Sequence, residues 1–378
     1  MLRWISPLAL VAALLAGVPA PAAGQATSGP GTGTQDLPLV VAPKPSKPYL
    51  LIVPIVYYTP ETRLAFGAGG SFNLTLGKAD TKTRPTSVSF GLTYTLNKQM
   101  LLVVKPEIYL PGNSFVITGT IHLEHMPQKF YGIGRDTPDA AVESYTPNTF
   151  GVQLGVKKLL SHHLFVGVQG DFDRTTIDKV APGGAIDRGA VPGGGGGSTV
   201  GIGASLSYDT RDNVMFPRRG QYLQVSFDQY AHFLGSDFSF SSVKVDLREY
   251  VPVGSASVFA VQGILRSKGA EAPFYMQPTL GGETNMRGYY KGRYRDGTMV
   301  AVQAEYRAHL WKKLGVVVFG GLGEVCPSLG MCDIRSVLPS FGAGIRFKLD
   351  KRGGTNLRAD YAWGRKSTGF YVTVQEAF

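Results

Sequence analysis

Polar and apolar residues alternate one by one along most of the chain. In 200–209, Val200, Ile202, Ala204, Leu206 and Tyr208 point one way and Gly201, Gly203, Ser205, Ser207 and Asp209 the other. In 300–310, Val302, Ala304, Tyr306 and Ala308 oppose Gln303, Glu305, Arg307 and His309. Phe341, Ala343, Ile345, Phe347 and Leu349 oppose Gly342, Gly344, Arg346 and Lys348, and Leu357, Ala359, Tyr361 and Trp363 oppose Asn356, Arg358 and Asp360. Successive side chains of a strand face opposite sides, so each run predicts a strand with one apolar and one polar, often charged, face. Such runs begin near Tyr49, Arg63, Thr86, Met100, Ser114, Asn148, Leu164, Thr199, Gln221, Phe238, Ala256, Thr298, Leu314, Ser340, Asn356 and Phe370. A soluble sandwich also alternates, but it needs only about seven strands. About sixteen in one unbroken series, an even number, fit a bacterial membrane barrel. The expectation is an all-β fold, a transmembrane antiparallel β-barrel of about sixteen strands forming one domain over 48–378.

The start of the chain supports export. Arg3 is followed by an apolar run at 8–18 that is too short to span a bilayer, and then by Ala20-Pro21-Ala22 or Ala22-Ala23-Gly24 as a small-residue cleavage site. Residues 1–24 therefore read as a signal peptide. The Gly-, Thr-, Pro- and Ser-rich stretch 25–47 reads as a flexible periplasmic arm, because it cannot bury enough surface to offset its ordering entropy. The whole chain has 49 Gly, 11% aromatic residues and a mean hydropathy of +0.01, and after residue 47 no apolar stretch is long enough for a transmembrane helix. The net charge of +11 would suit nucleic acid in a cytoplasmic protein. In an exported one it points to outer-membrane lipid and lipopolysaccharide. A monomer in a Gram-negative outer membrane is expected.

One stretch interrupts the pattern. About thirty residues separate the strand ending near Arg266 from the one starting near Thr298, and a loop that long is usually functional or disordered. It holds Gly281-Gly282-Glu283-Thr284-Asn285-Met286-Arg287-Gly288-Tyr289-Tyr290, an Arg beside aromatic residues rather than a flexible tip. The Arg287-Gly288-Tyr289 core resembles the (Val/Ile)-Arg-Gly-(Tyr/Phe) loop of the BamA/TamA-like outer-membrane barrel superfamily. That superfamily includes the bacterial surface antigens and is related to the two-partner-secretion translocases. Asp209-Thr210-Arg211, followed by Pro217-Arg218-Arg219-Gly220, is similar to its Asp-x-Arg…Pro-x-x-Gly hairpin, with Pro217 fixing φ and Gly220 permitting the bend. Glu305-Tyr306-Arg307 resembles the strand after the long loop. Phe319-Gly320-Gly321-Leu322-Gly323 resembles a Phe-x-Asp-x-Gly strand in which Gly321 replaces the acid. Phe370, Val372, Val374 and Phe378, taken as sharing one face, resemble the C-terminal aromatic signal read by the barrel-assembly machinery; Glu376 then falls on the apolar face.

The resemblance implies a long loop folded into the lumen, with Arg287 paired to a wall carboxylate. Glu305 is the surviving partner, and the second acid is missing at Gly321. It also implies protein or lipid insertion or translocation at the outer membrane, through a barrel openable between first and last strands. An unfolded protein client or a separate periplasmic partner would go with that role. Members that insert or translocate proteins carry periplasmic polypeptide-transport-associated domains; here only the arm 25–47 precedes the first strand. The alternative is a passive or gated pore, or a structural surface protein.

Cys326 and Cys332, close together in an exported chain, read as one small disulfide. Too few other ligands accompany them for a metal site. His122, His125, His162 and His163 read as polar wall residues. No nucleotide loop and no spaced Ser, His and Asp set occurs, and 193–197 is a flexible Gly run, so neither an enzyme nor a cofactor is expected. The loops at 127–147, 178–198, 268–296 and 326–337 each follow an odd-numbered strand and are expected on the extracellular side.

Overall fold

The computed structural model describes residues 48–74, 83, 86–213, 216–348, 356–374 and 376–378. The expected signal peptide 1–24 and arm 25–47 lie outside the described residues. The chain forms sixteen long strands: β1 (Tyr49–Thr59), β2 (Arg63–Leu74), β3 (Thr86–Thr95), β4 (Met100–Tyr109), β5 (Phe115–His125), β6 (Glu143–Ser161), β7 (Leu164–Asp178) and β8 (Gly197–Asp209), then β9 (Gly220–Tyr230), β10 (Phe240–Val253), β11 (Ser257–Lys268), β12 (Thr298–Trp311), β13 (Leu314–Cys326), β14 (Leu338–Lys348), β15 (Asn356–Gly364) and β16 (Ser367–Val374). Each pairs antiparallel with its successor, and β16 returns to β1, closing the barrel.

Exposure decides which face is outside. Leu154 and Val168 are 61% and 65% exposed, whereas Glu305 and Asp360 are at 1% and 0%. The apolar faces therefore point outward and the polar faces inward, as in a membrane barrel and unlike a soluble sandwich. An open sheet this large would leave two unpaired edges; closure removes them everywhere except at one seam.

That seam is short. β1 and β2 keep register over their whole length, Tyr49 opposite Asn73 to Thr59 opposite Arg63. β1 and β16 share one register pair, Tyr58 with Val372. Among the described residues, 50–57 of β1 have no partner strand on the β16 side. Pro54 sits within this edge, where its missing N–H leaves no ladder bond unmade.

The expected common face of Phe370, Val372, Val374 and Phe378 is corrected by the structure. Phe370 is 44% exposed and points outward, but Phe378 is 5% exposed. Beyond Val374 the chain leaves the wall and turns into the barrel. Ala377 and Phe378 pack there on Tyr250 of β10 and Val258 and Ala260 of β11. Glu376 is accordingly no blemish on a lipid face: its side chain is buried and ion-paired. Strand alternation could not foresee this, because parity holds only while the chain stays in the sheet.

The long loops gather at one end. Phe130, Ile186 and Phe274, drawn from three connections, form one apolar cluster with Tyr145 of β6. Arg293 of the 269–297 loop bonds Asp139 and Thr137 of the 126–142 loop. Arg135 reaches Glu324 near the end of β13 at 2.8 Å. These loops therefore make a single cap.

Candidate functional site

The tip of the 269–297 loop is fastened to inward-facing groups of the wall. Gly288 adopts φ +103, and a Cβ there would lie 2.8 Å from the Trp363 carbonyl carbon, so only glycine fits against β15. Its N–H donates to the Tyr371 hydroxyl at 3.0 Å, and the Ser367 hydroxyl donates back to its carbonyl at 2.6 Å. The Tyr289 hydroxyl accepts from the Arg365 N–H and donates to the Pro339 carbonyl. Gln303 of β12 donates to the Thr284 carbonyl at 2.6 Å. On the other side of the seam, the Lys291 N–H donates to Glu61, in the turn after β1, at 2.6 Å. The loop tip thus touches both strands that flank the seam, β16 directly and β1 through its turn.

Arg287 lies at the centre. Its guanidinium stacks 3.5 Å from the centroid of the Phe319 ring and bonds both Glu305 of β12 and Asp360 of β15. The second carboxylate missing at Gly321 is thus supplied by a different strand. Gly344 makes the meeting possible, because a Cβ there would sit 2.0 Å from Asp360 Oδ1. Arg307 of β12 bonds Glu305 at 2.7 Å and lies 3.9 Å from Glu376. Glu376 bonds Arg346 of β14 at 2.7 Å, and Arg346 bonds Asp360 at 2.5 Å. Arg287, Glu305, Arg307, Glu376, Arg346 and Asp360 therefore form a closed ring of alternating charge with every side chain buried. Arg358 lies at its edge, 3.8 Å from Asp360, facing Glu283 of the loop at 3.7 Å.

Charge-assisted bonds of this kind are among the strongest available to a protein, and isolating any one member would leave an uncompensated buried charge. The arrangement offers no nucleophile beside a base; chemically it is a fastening. In the cap, burial and then the nearby Glu61 carboxylate push the Tyr290 hydroxyl above its ordinary range. Burial likewise raises the Asp296 carboxyl, against the lowering effect of its bond from the Gly297 N–H.

The other residues singled out in the sequence fall elsewhere. Asp209 and Arg211 form a buried two-pronged pair, at 2.9 Å for each prong, with Arg211 4.3 Å over the Tyr222 ring. Pro217 is buried in the same connection and Gly220 opens β9. Cys326 and Cys332 are joined, their Cα atoms 5.2 Å apart. His122 is buried and lies 3.3 Å from Asp173. His125 bonds Asn148, while His162 is exposed. Arg307, Arg346, Asp360 and Glu376 were not foreseen as ring members. The inward parity of the first three was legible, but their convergence was not.

A closed barrel of sixteen antiparallel strands with apolar side chains outside and charged ones inside defines the class of membrane β-barrels. The Omp85 superfamily domain model matches residues 65–378, and the chain belongs to the Omp85 superfamily, whose barrels are outer-membrane proteins. Among solved structures, BamA from Haemophilus ducreyi lacking POTRA domains 1–3 is similar at TM-score 0.62 and 15% identity, over 87% of this chain and 70% of that one. CdiB from Escherichia coli is similar at TM-score 0.58 and 14% identity, over 85% of this chain and 62% of that one. CdiB from Acinetobacter baumannii is similar at TM-score 0.53 and 11% identity, over 87% and 60%. The chain thus spans less than two thirds of either CdiB. No curated protein matches it.

Proposed function

We propose that this barrel helps insert or translocate polypeptide at the outer membrane, using the seam between β1 and β16 as the working edge. The observation that carries the reading is the single register pair at that seam. An unpaired strand edge inside a bilayer is costly, and an extended segment of another chain would satisfy it by adding a strand. The loop tip, reaching both flanks of the seam, plugs the lumen and holds the barrel closed in the resting state. Outer-membrane lipid and lipopolysaccharide surround the barrel, and a periplasmic partner would deliver the client.

Replacing the register pair by Tyr58→Cys and Val372→Cys gives a direct test. In proteoliposomes, oxidation of this pair should abolish folding of an unfolded outer-membrane barrel client, and reduction should restore it. The parent protein, treated identically, controls for the native disulfide. Equal client folding with the seam locked and unlocked would refute the proposal.

One observation favours a second reading, a gated pore. On β7 to β10, Asp171, Thr199, Ser207, Gln224, Ser226, Asp228 and Ser242 each keep a buried polar atom with no protein partner among the described residues. Such groups are expected to bond water. Steady conductance in planar bilayers without client folding would select this reading.

A further inference from the structure

We infer that the C-terminal tail, 376–378, is a latch held in the lumen by the same ion ring that fastens the loop, so that tail and loop release one another. The inference rests on the reading of the seam as the working edge, and adds its regulation.

Four of the six ring members, Glu305, Arg307, Arg346 and Asp360, stand on wall strands and cancel in charge. The other two stand outside the wall strands: Arg287 comes from the loop and Glu376 from the tail. Arg358 and Glu283 at the edge offset one another, and within the ring Arg287 and Glu376 each bring one unit of opposite sign, so each balances a ring that the other would leave charged. Buried charges interact strongly and tolerate imbalance poorly. If Arg287 is lost, the ring carries an excess anion, and Glu376 is the one carboxylate not built into a wall strand. If Glu376 is lost, the ring carries an excess cation, and Arg287 is the one guanidinium not so built. In both cases charge balance returns when the remaining element from outside the wall leaves.

The tail has further attachments in the same place. The Phe378 main-chain oxygen accepts from Arg307 at 2.9 Å, and the Arg307 guanidinium lies 5.3 Å from the centre of the Phe378 ring. While it is held there, the tail cannot extend β16. Continued from Tyr58 opposite Val372, the register would place Glu376 opposite Pro54, which has no N–H to donate. The edge of β1 is thus left open by the tail's position and by its own sequence.

The test uses two cysteine reporters in the full-length protein in lipid nanodiscs, read as rates of modification by a water-soluble maleimide without any client. Ala377→Cys reports the tail and Met286→Cys the loop; both positions are buried. Adding Arg287→Ala to the tail reporter, and Glu376→Gln to the loop reporter, should each speed labelling by about tenfold. Asp209→Asn, which disturbs a buried ion pair outside the ring, should change neither rate. Heat-modifiable migration confirms that each barrel is folded, and Arg287→Lys, which keeps the charge, serves should Arg287→Ala not assemble; it should leave the tail slower to label than Arg287→Gln does. The latch is overturned if Glu376→Gln exposes Ala377→Cys yet leaves Met286→Cys protected, or if Asp209→Asn speeds both reporters as much as the ring variants do. Coupled labelling in a protein that folds no client would sink the proposed function and leave the latch standing. Client folding without coupled labelling would do the reverse.

Discussion

The two sides of the lumen are built on different terms. On β12, β14 and β15, the inward carboxylates are paired with guanidinia of the wall and the loop tip, and although Arg287, Arg307 and Arg346 each keep one N–H without a partner, every carboxylate there is met by cations. On β7 to β10, Asp171, Asp228, Ser226 and Ser242 carry polar atoms without protein partners. Glycines explain part of the contrast. Gly203 lies between Gln169 and Asp228, and any Cβ there would come within 2.2 Å of the Asp228 carboxylate. Both walls have the same alternation and the same buried polar face. What separates them is the presence of a second layer, so inward polarity in a barrel marks a lumen but not what occupies it.

The difference can be broken most forcefully at Arg287. Arg287→Ala should lower the barrel's unfolding free energy by about 3–5 kcal/mol in a denaturant titration, because Glu305 and Asp360 lose their shared cation. Asp228→Asn on the facing wall should cost no more than about 1 kcal/mol, since among the described residues its carboxylate takes one hydrogen bond, from Gln169, and keeps one oxygen without such a bond. Comparable losses at the two positions would erase the contrast. Next in size, Gly288→Ala should cost about 1–3 kcal/mol through its positive φ and its contact with β15, and should loosen the loop before the wall. Limited proteolysis within 269–297 measures that order. Smaller again is the effect of Asp171→Asn with Asp228→Asn on any residual ion leak. Cation preference in planar bilayers should fall if water lines that wall, and unchanged selectivity would place the leak elsewhere.

The smallest effect concerns Asp296, whose carboxyl is raised by burial. A group that binds its proton more tightly folded than unfolded adds stability as pH falls through the folded value, and that gain is lost as pH rises. The cap should therefore resist protease slightly better near about pH 5 than at neutrality, and Asp296→Asn should flatten the dependence.

Much of this architecture is legible in the chain. Strand starts such as Arg63, Thr86, Met100, Leu164, Thr298, Leu314 and Asn356 coincide with those of the structure, because alternation between a lipid face and a polar face leaves little freedom in register. Glu305 could be placed inward from Val302 and Tyr306 alone. Asp360 and Arg346 could be placed inward by the same rule, yet nothing local shows that they converge on Arg287. That convergence depends on barrel closure and on small residues such as Gly344 in the intervening strand. The tail departs from its sequence pattern for a related reason: Phe370 and Phe378 share a parity that ends when the chain leaves the sheet after Val374. The cap cluster of Phe130, Ile186 and Phe274 lies in connections with no period to read.

A double-mutant cycle between Arg287 and Glu305 tests the central fastening most directly. Each single alanine variant leaves the ring with one unbalanced charge, and the double variant restores neutrality. Measured by reversible denaturant unfolding in detergent or lipid, the double variant should be no less stable than the worse of the two single variants. Single-site losses that simply add would mean that Arg287 and Glu305 do not act together, and that the loop is held to the wall in some other way.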